Sequence, residues 1–123
     1  MSSPTPDALQ PYVAHFRQRQ ERERRQQQYR YQQGWEQARI AAKILKATYG
    51  VRHVFLFGSL LSPEAVHPSS DIDLAVWGLP LEHYSDAVGT LLLTVKGFSV
   101  DIVRLETAQP SLKRSILQAG VEL

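Results

Sequence analysis

The sequence predicts a mixed α/β protein, α+β in organisation: a small mixed β-sheet flanked by helices, with a long helical arm ahead of it. Three observations predict it. Apolar residues recur every three or four positions along residues 35–49 and 81–95, the spacing of helices with one buried face. The runs 51–57, 71–77 and 98–105 are short, rich in β-branched, aliphatic and aromatic residues, and set between turn-forming Gly, Pro and Ser. Between Arg17 and Gln28 there is only Arg, Gln and Glu, good helix formers that offer no face to bury.

Taken in order, Met1 to Pro6 reads as a disordered lead, and Thr5-Pro6-Asp7 as a helix start. Leu9, Tyr12, Val13 and Phe16 follow helical spacing, and the polar run continues the helix. Gly34 is expected as a soft point before a second helical stretch, which buries Trp35, Ala38, Ala42 and Leu45 and ends at Gly50. Val51 to Phe57 is expected as a central strand, Ser59 to Val66 as a short helix restricted by Pro63, and His67 to Ser70 as a loop. Asp71 to Trp77 is the second strand. Leu81 to Val95 is expected as a helix with Leu81, Tyr84, Val88, Leu91, Leu92 and Val95 inward. Phe98 to Leu105 is the third strand, and Pro110 to Ala119 a last helix with Leu112, Ile116 and Leu117 inward. Val121 to Leu123 adds an edge strand. The division expected is an Arg/Gln-rich arm over residues 1–33 and a folded domain over 34–123.

A chain of 123 residues supports one core. It has no cysteine, which excludes disulfides and thiolate metal sites. No apolar run approaches the length of a bilayer span, and the start lacks the regions of a signal peptide, so a cytoplasmic protein without a membrane partner is expected. The formal charge of +2 hides an asymmetry: residues 1–33 carry six Arg against three acids, residues 34–123 eight Lys or Arg against nine. The basicity belongs to the arm, and direct nucleic-acid binding by the domain is not expected.

The chemistry concentrates in two stretches, Phe55-Leu-Phe-Gly58-Ser59 and Ser70-Asp71-Ile72-Asp73-Leu74-Ala75-Val76. Strand alternation puts Asp71 and Asp73 on one face and Ile72, Leu74 and Val76 on the other. Two carboxylates side by side repel each other unless a cation sits between them. Oxygen-only ligands with open positions suit Mg²⁺ bound together with a phosphate substrate. The Gly58-Ser59 turn offers backbone N–H groups that can approach phosphate oxygens. In Ser99-Val-Asp101-Ile-Val-Arg104, Val100 and Ile102 face the core, so Asp101 faces as Asp71 and Asp73 do. Taken alone it reads equally well as an exposed strand residue. Beside the other motifs it completes a site for two metal ions, one aligning a triphosphate and one lowering the pKa of an attacking hydroxyl. Asp101 is also the candidate to accept that hydroxyl's proton. The chemistry indicated is nucleotidyl transfer. His15, His53, His67 and His83 lack paired spacing and read as surface or packing residues; His67 alone lies in the loop between the turn and the acids.

In this order the words resemble the DNA polymerase β superfamily, and within it the minimal nucleotidyltransferases (MNT), over about residues 36–123. The later Val-Asp-Ile-Val and the ending Ile-Leu-Gln-Ala-Gly-Val-Glu-Leu strengthen the likeness. The resemblance implies that Gly58 and Ser59 bind the triphosphate of ATP, the serine through its hydroxyl. It implies Mg²⁺ on Asp71 and Asp73, with Asp101 as third ligand and base. It also implies a partner, because members of this branch are typically the antitoxin half of a pair with a helical HEPN-domain RNase toxin. They are similar to enzymes that transfer AMP from ATP to a tyrosine of that toxin. This chain departs from the pattern in Leu60-Leu61, where many relatives carry a basic residue, and in a slightly longer loop holding His67 and Pro68. Those departures keep open a second reading, an antitoxin that neutralises its partner by complex formation with little catalysis. The arm is open to three readings: a solvated helix, a docking surface for the partner or a second copy of the chain, and an RNA contact. Tyr29 and Tyr31 read as partner contacts or as acceptors of self-modification. Because every proposed ligand lies beyond residue 57, the arm is expected to be dispensable for metal and nucleotide binding.

Overall fold

One helix, α1 (Pro6–Tyr49), accounts for 44 residues of the computed structural model, which describes residues 6–123. The lead Met1 to Thr5 lies outside the described residues. At 1.5 Å per residue α1 is about 66 Å long. The polar run continues it without a break, as its helix propensity predicts. Gly34 is not a soft point. It is buried inside the helix, and a Cβ there would stand 2.5 Å from Leu60 Cδ2, so the glycine serves a close approach rather than a bend.

The sheet holds four strands, β1 (His53–Phe57), β2 (Ile72–Trp77), β3 (Val100–Arg104) and β4 (Val121–Glu122), in the order β3-β2-β1-β4. β1 runs antiparallel to β2 and β4, whereas β2 and β3 are parallel, so the sheet is mixed. The parallel pair is joined through α2 (Tyr84–Thr94), the kind of crossover such pairs require. The expected helix over 59–66 is instead two 3₁₀ turns, Gly58–Leu61 and Pro63–Ala65. Pro63 forces the break by disfavouring helical backbone in the residue before it, and Ser62 is extended at φ −140° and ψ 133°. α3 (Pro110–Ala119) and β4 end the chain as the sequence predicts.

The two faces of the sheet differ. Val54, Leu56, Ile72, Leu74, Val76 and Ile102 are buried against Ala38, Ala41, Ala42 and Leu45 of α1 and Ala87 and Leu91 of α2. On the other face Ala75 and Leu105 pack with Ile116 of α3, flanked by Phe55 and Phe57. Two expected helix faces need correction. Leu81 precedes α2 in a separate 3₁₀ turn, and Leu81 and Leu92 are exposed; the inward residues are Tyr84, Ala87, Val88 and Leu91. α3 covers only the small second cluster, which needs Ile116 alone, so Leu112 and Leu117 remain in solvent.

Among the described residues, side-chain hydrogen bonds from α1 to the rest of the molecule begin at Gln27, whose Nε2 donates to the carbonyls of Glu64 (3.1 Å) and Val66 (2.8 Å). The compositional boundary at residue 33 therefore falls inside a docked stretch of helix. Residues 6–26 run on beyond it for about 30 Å. At about 100° per residue, Leu9, Val13 and Phe16 lie on the side of α1 that carries Ala38 and Leu45, yet all three are exposed. Tyr31, by contrast, packs on the core with its ring edge-on to Trp35, which leaves Tyr29 as the exposed tyrosine of the pair. Among the described residues no helix is long and apolar enough to cross a membrane.

Candidate active site

The face that α3 covers only in part is the face that carries the acids. Phe57 of β1 pairs with Asp73 of β2, and Asp73 pairs with Asp101 of β3, so the three residues form one row across the sheet. Neighbouring strands lie about 4.8 Å apart, which brings the Asp73 and Asp101 carboxylates onto adjacent positions of one surface. Asp71 lies just ahead of β2, near enough for its charge to act on Asp73. Immediately after Phe57 the chain turns at Gly58, where φ is +81°. A Cβ on Gly58 would overlap the Asp73 carboxylate. Only glycine lets the turn close over that acid.

The row is electrostatically uncompensated. Among the described residues the ion pairs are Arg25–Glu21 and His53–Glu122, and neither touches an aspartate of the site. Burial first, then the charges of Asp101 and Asp71, push the Asp73 carboxyl up from 3.8 to about 6. Asp71 and Asp101 are exposed. Among the described residues no three acidic or histidine side chains by themselves form a cage for a metal ion. Mg²⁺ is usually held by one or two carboxylates and completes its shell with water and substrate phosphates. An all-oxygen donor set with crowded negative charge and open positions suits an ion that arrives with a nucleotide.

The turn is tied to the loop that precedes the acids. Ser59 Oγ donates to Ser70 Oγ at 3.0 Å, and the backbone N–H of His67 donates to the same oxygen at 2.9 Å. Ser70 is buried and stands immediately before Asp71, so its hydroxyl joins the phosphate-type turn to the first acid. Ser70 has no role predictable from residue type alone; its position between a turn and an Asp-x-Asp pair is the signal the sequence offers. His67 Nδ1 lies 3.0 Å from Ser69 Oγ at the loop surface. Leu60 is wholly buried beside Gly34, and its carbonyl accepts from Trp35 Nε1 at 2.7 Å. The position that follows Ser59 thus belongs to the core. His53 Nδ1 lies 2.8 Å from Glu122 Oε2 on the other edge of β1.

A mixed sheet that presents a glycine turn and clustered strand acids on one face defines the nucleotidyltransferase class. The family model for polymerase beta nucleotidyltransferases matches residues 40–123, and the chain belongs to that family. Its fold is similar to solved toxin–antitoxin complexes. One, an MntA–HepT complex, shares 22% identity over 72% of this chain and 69% of that chain, with a TM-score of 0.54. A toxin–antitoxin with AMP-PNP shares 24% over 67% and 68%, with a TM-score of 0.56. A third is a tri-AMPylated Shewanella oneidensis HEPN toxin in complex with MNT antitoxin, at 22% identity over 72% and 70%, with a TM-score of 0.55. No curated protein matches the chain.

Proposed function

We propose that this protein is a Mg²⁺-dependent adenylyltransferase that moves AMP from ATP to a tyrosine of a HEPN-domain toxin and thereby acts as its antitoxin in the cytoplasm. The observation that carries the reading is the row Phe57–Asp73–Asp101, closed over by Gly58 and, among the described residues, without an ion-paired countercharge. In this reading Gly58 and Ser59 hold the triphosphate, Asp71, Asp73 and Asp101 share the metal ions with one or two carboxylates to each, and Asp101 also serves as base. Mg²⁺, two ions by family resemblance, would screen the triphosphate and acidify the attacking hydroxyl. The tyrosine oxygen forms a bond to the α-phosphorus as the bond from that phosphorus to the β-phosphate oxygen breaks. Pyrophosphate leaves with the electron pair, and the hydroxyl proton passes to the Asp101 carboxylate, whose exposure allows it to reach solvent. The AMP-PNP and tri-AMPylated complexes of similar fold support the nucleotide and the acceptor class. The exposed Leu9, Tyr12, Val13 and Phe16 provide a surface on which that partner, or a second copy of the chain, docks.

The test is intact mass of a HEPN protein from the same operon after incubation with this chain, ATP and Mg²⁺. Mass gains in steps of one AMP, lost in Asp71→Asn and Asp73→Asn, are expected. Tight association without a mass change would overturn the catalytic reading in favour of an antitoxin that acts by binding. Leu60-Leu61, which supplies no cation after Ser59, is the observation that favours that second reading.

A further inference from the structure

The segments that carry the three aspartates do not hold their spacing alone. Asp71 follows the loop His67–Ser70, and Asp101 follows the turn Gly97–Ser99. The two run into the β2–β3 ladder, which pairs Asp73 with Asp101, and just ahead of it the Ile72 N–H donates to the Ser99 carbonyl at 2.9 Å. Arg30 of α1 lies across both. Its Nη2 donates to the Ser70 carbonyl (2.9 Å), its Nε to the His67 carbonyl (3.2 Å) and its Nη1 to the Gly97 carbonyl (3.3 Å). The guanidinium also lies 4.1 Å from the ring centroid of Phe98, the residue after Gly97. One planar cation therefore fastens the approach to Asp71 and the approach to Asp101 to the same rigid helix.

The geometry points to Arg30 as a positioning residue for nucleotidyl transfer, one that holds Asp71, which lies ahead of the ladder, against the strand-paired Asp73 and Asp101 without touching the reacting atoms. This rests on the reading of the aspartate row as the catalytic centre. Ser70 links the same brace to the turn, because its hydroxyl accepts from Ser59 while its carbonyl accepts from Arg30. Lysine is no substitute here. An ammonium is a compact charge that neither stacks on Phe98 nor reaches three carbonyls in a fixed fork. The contact lies in the stretch that composition assigns to the arm, so the arm from Gln27 onward belongs to the working unit.

The experiment compares wild type, Arg30→Lys, Arg30→Met and Arg17→Lys, the last on the free part of α1 as control. Three measurements are made on each: AMP transfer kinetics, Mn²⁺ titration without nucleotide, and amide hydrogen exchange. For both Arg30 variants kcat should fall about ten- to a hundredfold, the range expected when reacting groups are displaced by about an ångström. KM for ATP should change by less than a factor of about three, since the triphosphate contacts remain. Exchange should accelerate at residues 67–72 and 97–101 and not in β1, and Mn²⁺ affinity should drop. A rise in KM with kcat intact would make Arg30 a direct triphosphate ligand and overturn the proposal. So would unchanged kcat and exchange, or acceleration spread over the whole sheet, which marks a general loss of stability. Absence of AMP transfer in wild type would refute the adenylyltransferase reading instead. Mn²⁺ affinity and local exchange would still decide whether Arg30 sets the aspartates.

Discussion

Replacing Asp73 by Asn should stabilise the protein at neutral pH while abolishing the proposed AMP transfer. Asp73 is half-buried, and burial together with the charges of Asp101 and Asp71 raises its carboxyl from 3.8 to about 6. Between those two pH values the folded chain keeps a proton that the unfolded chain has released. Stability therefore falls as pH rises through this window, by about 1.4 kcal/mol per pH unit, and is level with respect to this group above it. Taken at face value the full window costs the native state about 3 kcal/mol. Solvent access to a half-buried carboxylate reduces that to about 1–2 kcal/mol. Asparagine removes the charge and keeps the volume. Urea titrations at pH 7.5 should show Asp73→Asn more stable than wild type by about 1–2 kcal/mol, and the two should converge near pH 4. Millimolar Mg²⁺ at pH 7.5 should raise the wild-type midpoint and leave the variant unchanged, because the cation relieves the same repulsion. If Asp73→Asn proved less stable at pH 7.5, or differed from wild type by the same amount at pH 4, the crowding of these acids would not be the source of the strain.

Three other outcomes are expected. Gly58→Ala puts a side chain where φ is +81° and where its Cβ meets the Asp73 carboxylate; it should lose about 1–3 kcal/mol in denaturant titration and lose AMP transfer as well. Gly34→Ala separates a close approach from a hinge by sign. In an unpacked helix it would gain about 1 kcal/mol, but against Leu60 overpacking of about 1–3 kcal/mol outweighs that gain, so the melting temperature should fall. A truncation beginning at Arg25 should preserve folding and nucleotide titration, whereas one beginning at Gly34 removes Gln27 and Arg30 with their five carbonyl contacts and should lose both.

That last contrast tests the expectation that the arm is dispensable for metal and nucleotide binding, and the contacts behind it show what the sequence could convey. Strand alternation is a local property. The parity of Asp73 and Asp101 against Ile72, Leu74 and Ile102 is readable from neighbours alone, and the sheet places these residues as that parity requires, whereas Asp71 lies ahead of β2 and outside the ladder. Helix faces were legible only in part, since periodicity marks a stripe but not how much of it the sheet has room to cover. Leu92 sits beside a buried Leu91, and the one small cluster beneath α3 takes Ile116 and leaves Leu112 and Leu117 outside.

What the sequence could not convey is contact between a side chain and a distant backbone. Arg30 donates to carbonyls 37, 40 and 67 residues away, and a carbonyl is the same whatever residue bears it. Such a partner leaves no signature at its own position, so an arginine within an Arg/Gln tract looks like one more solvated charge. Gly34 was opaque for a related reason: a glycine that bends a helix and one that admits a neighbour are identical until Leu60 is known to fill the space. Both residues act on the stretch from Gly58 to Asp71, which is irregular, crossed by Pro63 and too short to bury a face of its own. Irregular backbone must have its carbonyls satisfied from elsewhere. Here α1 does so through Trp35 at Leu60, Gln27 at Glu64 and Val66, and Arg30 at His67 and Ser70. A helix that looks by composition like an appendage is thus the template on which the loop carrying the turn and leading to the first acid is laid.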